Sequence, residues 1–155
     1  MAILKSAARL ISREHAHYQF RGPALTLGVP EIYATTDEIT AWSREYLGAE
    51  PAWNIDEVEI STNRFGKRLS WVKARSFFQD IGIGQLDSLD IEGCEYVPEI
   101  LHDLNTPLPD QFHNQYGLIF DPGTLEHVFD ILHLPAKYCE GVDNWWDCNP
   151  PGAYV

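Results

Sequence analysis

Between residues 85 and 127, three apolar runs each finish on a carboxylate: "QLDSLDI" near Asp90, "PEILHDLN" on Asp103-Leu104-Asn105, and "YGLIFDPGTLEH" on Asp121 and the residues that follow it to His127. Each run has the length of a strand and is bounded by Gly, Pro, Asn or Asp. An earlier segment, "PALTLGVPEI" over 23–32, has the same form and closes on Gly28 and Pro30. Helical patterns lie between. In "TTDEITAWSREYLG", Thr35 and Glu38 stand at capping-box spacing, Ile39, Trp42, Tyr46 and Leu47 share a face, and Gly48 marks the stop. "KRLSWVKARSFFQDIG", residues 67–82, reads as a second helix, "DEVEIS" as a strand, and "TPLPDQFHNQ" as a loop with a little helix. Strands alternating with helices predict an α/β chain whose central strands are parallel. Ligands of such sheets bind beyond the carboxyl ends of the strands, so the three acids fall on one rim. A single acid there is ordinarily a turn former or cap, whereas three together point to a polar ligand.

The bulk composition narrows the partners. A chain of 155 residues, 45% hydrophobic and 12% aromatic, supplies one domain with a core. Its formal charge of −12 repels phosphate backbones and anionic lipid heads, which disfavours nucleic acid and membrane surfaces and favours a small-molecule substrate. "MAILKSAARLI" suits a short amphipathic helix better than a signal peptide, and no run approaches a membrane span. Cys94, Cys139 and Cys148 are odd in number and lack zinc-type spacing, so neither a disulfide framework nor a structural metal is expected and a cytoplasmic location is. His15, His17, His113 and His133 have no ligand-like spacing, and alternation along the strand would turn His102 away from Asp103, into the core or a helix contact.

Residues 85–130 resemble the second, third and fourth strands of class I S-adenosylmethionine-dependent methyltransferases, most closely a bacterial branch with DSLD, HDLN and GTLEHV boxes. The match covers under a third of the chain, and "ALTLG" aligns loosely as the first strand. The resemblance implies a Rossmann-like sheet that binds S-adenosyl-L-methionine and is incomplete after its fourth strand. By position it implies that Asp90 accepts hydrogen bonds from the ribose hydroxyls, and that Asp103 and Leu104 hold the adenine, one by its exocyclic amine and the other by packing on the ring. Asp121 to Thr124, Gly123 among them, would lie beside the methionine part and the sulfonium, and Gly28 in the first turn. Glu126 and His127 would face the acceptor, His127 as general base or orienting group. The alternative role for His127 is a packed histidine starting the next helix.

Two features depart from that pattern. The family's first strand ends in an acid and a glycine-rich turn, where this chain has "LTLGVPEIYATTDE" with Gly28 alone. Glu31 or Asp37 is then the candidate carboxylate for the ammonium group, while "IGIG", with Gly82 and Gly84, follows a helix and precedes a strand as a turn on the opposite rim. The second departure is the end, "HLPAKYCEGVDNWWDCNPPGAYV". Tryptophan has a single codon, so a shift of one nucleotide turns the Trp pair into Gly-Gly between β-branched residues, the turn and strand with which the family continues. The expected division is therefore 1–22 as N-terminal helix and lead-in, 23–132 as the N-terminal part of the methyltransferase domain, and 133–155 as an atypical, frame-shifted or cut-off tail. That leaves the fourth strand as a sheet edge open to self-association. The function implied is methyl transfer to a small-molecule acceptor, with the chain an inactive fragment if the tail is not genuine. The rivals are a non-catalytic methyltransferase-like module that binds a ligand or protein, and a metal-dependent hydrolase using Asp103, Asp121, Glu126 and His127.

Overall fold

The computed structural model describes residues 2–50, 60–62, 68–92 and 100–129. In chain order the elements are β1 (Ala2–Ile3), α1 (Lys5–Tyr18), β2 (Ala24–Leu27), β3 (Glu31–Ile32), α2 (Thr36–Trp42) continued by a π-helical turn (Ser43–Leu47), β4 (Ile60–Thr62), β5 (Arg68–Val72), α3 (Ala74–Asp80), β6 (Leu86–Asp90), β7 (Ile100–Leu101), a 3-10 turn (Asp110–Phe112), β8 (Leu118–Phe120) and a 3-10 turn (Leu125–His127). Most of "DEVEIS" and all of 133–155 lie outside the described residues. Among those described, no helix is long and apolar enough to cross a membrane. The chain groups into two interleaved compact units, one drawn from Met1–Gln19 and Pro30–Leu86, the other from Phe20–Val29 and Asp87–Val155.

In the first unit, α1 buries Ala8, Ile11 and Ser12, whose hydroxyl donates back to the Ala8 carbonyl at 3.1 Å. The helix stops where Gln19 turns left-handed, φ 50°. Ahead of it, β1 pairs in parallel with β3, Ile3 opposite Ile32. The capping box is present at α2: the Glu38 N–H reaches the Thr35 hydroxyl at 3.4 Å, and the Thr35 N–H reaches the Glu38 carboxylate at 3.0 Å. The π-helical turn then carries Ser43 inward, where its hydroxyl donates to Asp80 at 3.0 Å in a buried contact.

The helix expected over 67–82 is only half helical. Residues 68–72 form β5, antiparallel to β4, and α3 starts at Ala74 after an extended Lys73. The Val72 N–H is claimed by the Ala34 carbonyl at 3.0 Å, a bond between distant segments that a sequence window does not contain. The Trp71 ring also stacks on Tyr33, centroids 4.2 Å apart.

Acid should weaken this unit in two steps. Desolvation of the half-buried His15 imidazole lowers its pKa below the usual value, so the unfolded chain takes up the proton more readily than the folded one. The contribution is fully present above the unfolded value of 6.5 and is lost as pH falls through the folded value. The Lys5 ammonium, then the Thr35 N–H, likewise holds the Glu38 carboxyl below its usual 4.5, which adds a second loss at lower pH. Melting temperature should fall between about pH 8 and about pH 5, and a His15→Gln variant should show a flatter profile over that window; equal slopes would remove His15 as the cause.

The second unit is built on a four-stranded sheet of order β7-β6-β2-β8. β2 pairs in parallel with β8, Ala24 opposite Leu118 and Thr26 opposite Phe120, and β6 in parallel with β7, Leu89 opposite Ile100. The chain is thus α/β with a parallel sheet, as its pattern predicted. All four residues of β2 are buried, as a central parallel strand requires, and the Thr26 hydroxyl is satisfied by Ser88 at 3.1 Å. Leu25, Leu27, Leu89, Ile100, Leu104 and Leu108 make the core, joined by Phe112, Tyr116, Ile119, Leu125 and Val128. Among the described residues β8 is a sheet edge. The 3-10 turn at 110–112 matches the expected bit of helix, and Gly82 and Gly84, both at positive φ, make the α3–β6 connection.

Candidate functional site

Taken in chain order, the four sheet strands of the second unit lie 3-2-1-4, and their carboxyl ends share one rim. A hollow of about 90 Å³ opens there. Its walls are Leu89 to Ile91 from the end of β6, His102 to Asn105 after β7, and Thr124, His127 and Val128 after β8. That volume is well under the ~300–1,000 Å³ of a site enclosing a drug-sized ligand. It suits one ring or one polar edge of a larger molecule, with the remainder lying open.

Asp90 is the last residue of β6. One carboxylate oxygen takes the Ile91 N–H at 2.8 Å, while the Asp90 carbonyl takes the His102 N–H at 2.9 Å and extends the β6–β7 ladder. A carboxylate offers roughly four lone-pair sites, so Asp90 keeps acceptor capacity for a ligand. Asp103 begins an Asx-type turn in which one oxygen receives both the backbone and side-chain N–H groups of Asn105, at 2.8 and 2.9 Å. Leu104 is 5% exposed and belongs to the core below the hollow. Asp90, Asp103, Leu104 and His127 therefore line one cavity.

The other sequence candidates stand elsewhere. Asp121 spends its carboxylate on the turn after β8, accepting the N–H groups of Gly123 at 3.0 Å and Thr124 at 2.6 Å. Gly123 has φ 114°, which lets the chain make that turn. Gly28, at φ 91°, gives its N–H to the Leu89 carbonyl of β6, so that donor serves the sheet. Glu126 is outside the walls and contacts His127 at 3.4 Å, with side-chain exposures of 73% and 77%. His127 is on a 3-10 turn and not in a packed helix.

Two polar wall residues, His102 and Asn105, were missed by sequence reasoning. Alternation turns His102 to the core or a helix contact, but β7 ends at Leu101, so strand alternation no longer governs it, and its Nε2 meets the Thr106 hydroxyl and carbonyl at 3.3 Å. Thr124 sends its hydroxyl to the Leu27 carbonyl at the end of β2. Asn105 joins both loops of the hollow; its place in "HDLN" was the available signal.

Among the described residues no three His, Cys, Asp or Glu side chains gather as metal ligands. In the first unit, a broader open groove of about 690 Å³ is lined in part by Lys5, Arg9, Tyr33 and Glu38. Its charges are already partnered: Lys5 pairs with Glu38 within the groove, and Arg9 reaches Glu45 at 3.1 Å and the Tyr46 hydroxyl at 2.7 Å outside its lining. Comparison with family models, curated proteins and solved structures finds no match to this chain.

Proposed function

We propose that the second unit is the nucleoside-binding part of a Rossmann-like, S-adenosyl-L-methionine-dependent methyltransferase acting on a small-molecule acceptor. The observation that carries this reading is the 3-2-1-4 strand order with Asp90, Asp103 and His127 around one hollow at the carboxyl ends. That order is the first part of a doubly wound nucleotide-binding sheet, and a ligand is expected where it reverses.

The residues present fit the group. Asp90 would accept the two ribose hydroxyls with the lone pairs left after its bond to Ile91. Asp103 would take the exocyclic amine of the base, with Leu104 and the 62%-exposed Ile91 offering apolar contact to the ring. When bound, S-adenosyl-L-methionine supplies an electrophilic methyl group on a sulfonium. His127, exposed beside the hollow, would receive the proton of an oxygen or nitrogen nucleophile, and Glu126 at 3.4 Å would orient its ring. The walls would act mainly by alignment and by excluding water. The charge of −12 suits a small acceptor better than RNA.

A second reading, a ligand-binding module without catalysis, is favoured by Gly28, whose N–H is committed to Leu89 where the family presents donors to its cofactor. Incubation with methyl-labelled donor and a pool of small acceptors separates the two. Label transferred by the full chain and reduced at least about a hundredfold in His127→Ala supports the first. Donor binding without transfer supports the second, and an absence of binding rejects both.

A further inference from the structure

We infer that Asn105 is a positioning residue whose carboxamide straps the turn after β8 to the turn after β7 and so keeps His127 and Val128 against the hollow. Its effect on ligand rests on the nucleoside reading of that site; the strap itself does not.

Both ends of the carboxamide are in use. Nδ2 donates to Asp103 at 2.9 Å, and Oδ1 accepts the N–H of Phe129 at 2.8 Å, a partner 24 residues away. Phe129 is 97% exposed, so side-chain packing does little to hold its backbone. The short turn bearing His127 is tied at its entry by Asp121, which takes the Gly123 and Thr124 N–H groups. It is tied at its exit by Asn105. Between those anchors it keeps two internal bonds, His127 to Thr124 at 2.9 Å and Val128 to Leu125 at 3.1 Å. Since Asn105 also donates twice to Asp103, the carboxylate assigned to the base and the backbone carrying His127 are joined through one side chain.

The residue type follows from this double duty. Aspartate retains an acceptor for Phe129 but loses the side-chain donor and sets a like charge beside Asp103; alanine loses both bonds. Glutamine has the groups on a longer stem.

The test is amide exchange of Phe129 by nuclear magnetic resonance in the full chain, combined with titration of S-adenosylhomocysteine. The wild-type Phe129 amide should exchange about tenfold more slowly than a free amide, a factor that Asn105→Ala removes and Asn105→Asp retains. S-adenosylhomocysteine should shift the His127 ring signal in the wild type, with a smaller shift in both variants and affinity weakened about tenfold in Asn105→Asp. Unchanged Phe129 exchange in Asn105→Ala overturns the strap, and unchanged affinity and His127 response in both variants overturn the positioning role. Failure of the wild type to bind S-adenosylhomocysteine rejects the nucleoside reading while exchange still decides the strap. If the alanine variant does not fold, loss of Phe129 protection in Asn105→Asp overturns it.

Discussion

Gly117→Ala is expected to unfold the second unit or lower its stability by about 3 kcal/mol or more, beyond the usual cost of overpacking. A Cβ at this position would stand 1.5 Å from the Arg21 carbonyl oxygen and 2.7 Å from its carbon. The obstacle is backbone, so no rotamer change relieves it. Nor can the strand back away freely, because the Gly117 N–H donates to the Pro23 carbonyl at 3.0 Å immediately before β2 and β8 come into register at Ala24 and Leu118. Gly123→Ala provides the contrast: nothing lies within 4 Å of its added Cβ, and only the φ of 114° resists, at a cost of about 1 kcal/mol. Urea denaturation should rank the two variants in that order. A Gly117→Ala midpoint equal to wild type would mean that residues 20–23 do not approach β8 as described.

Asp90→Ala is expected to weaken S-adenosylhomocysteine binding by about a hundredfold or more while leaving the fold in place. Two hydrogen bonds from a diol to a carboxylate are each worth about 1.5–3 kcal/mol, and alanine deletes both. The structural loss is a single bond to the exposed Ile91, about 1 kcal/mol. Asp90→Asn should fall between, since the amide oxygen still accepts but carries no charge.

Local signals were legible in the sequence. Thr35 and Glu38 stand three residues apart, and the capping box that their spacing predicts is present. The runs finishing near Asp90 and on Asp121 became β6 and β8, and the alternating pattern became a parallel sheet. What depends on distant partners was not. Residues 68–72 left the helical reading because β4 and Ala34 take up their hydrogen bonds. Gly117 drew no notice because its constraint is Arg21, and the bond that holds Thr124 was not legible because its partner Leu27 is 97 residues away. His102 was turned the wrong way by extending alternation one residue past the end of β7. Asp121 and Gly28, assigned to a cofactor by position, spend their donors and acceptors on the protein's own backbone.

The central claim is that the Asp90 rim receives the nucleoside of a methyl donor. Its most direct test is calorimetric titration of S-adenosylhomocysteine into the wild-type chain and the Asp90→Ala variant, with melting followed in parallel. Saturable one-site binding by the wild type, lost in a variant that still melts cooperatively, is the predicted result. An absence of heat with the wild type, or the same affinity in both proteins, would contradict it.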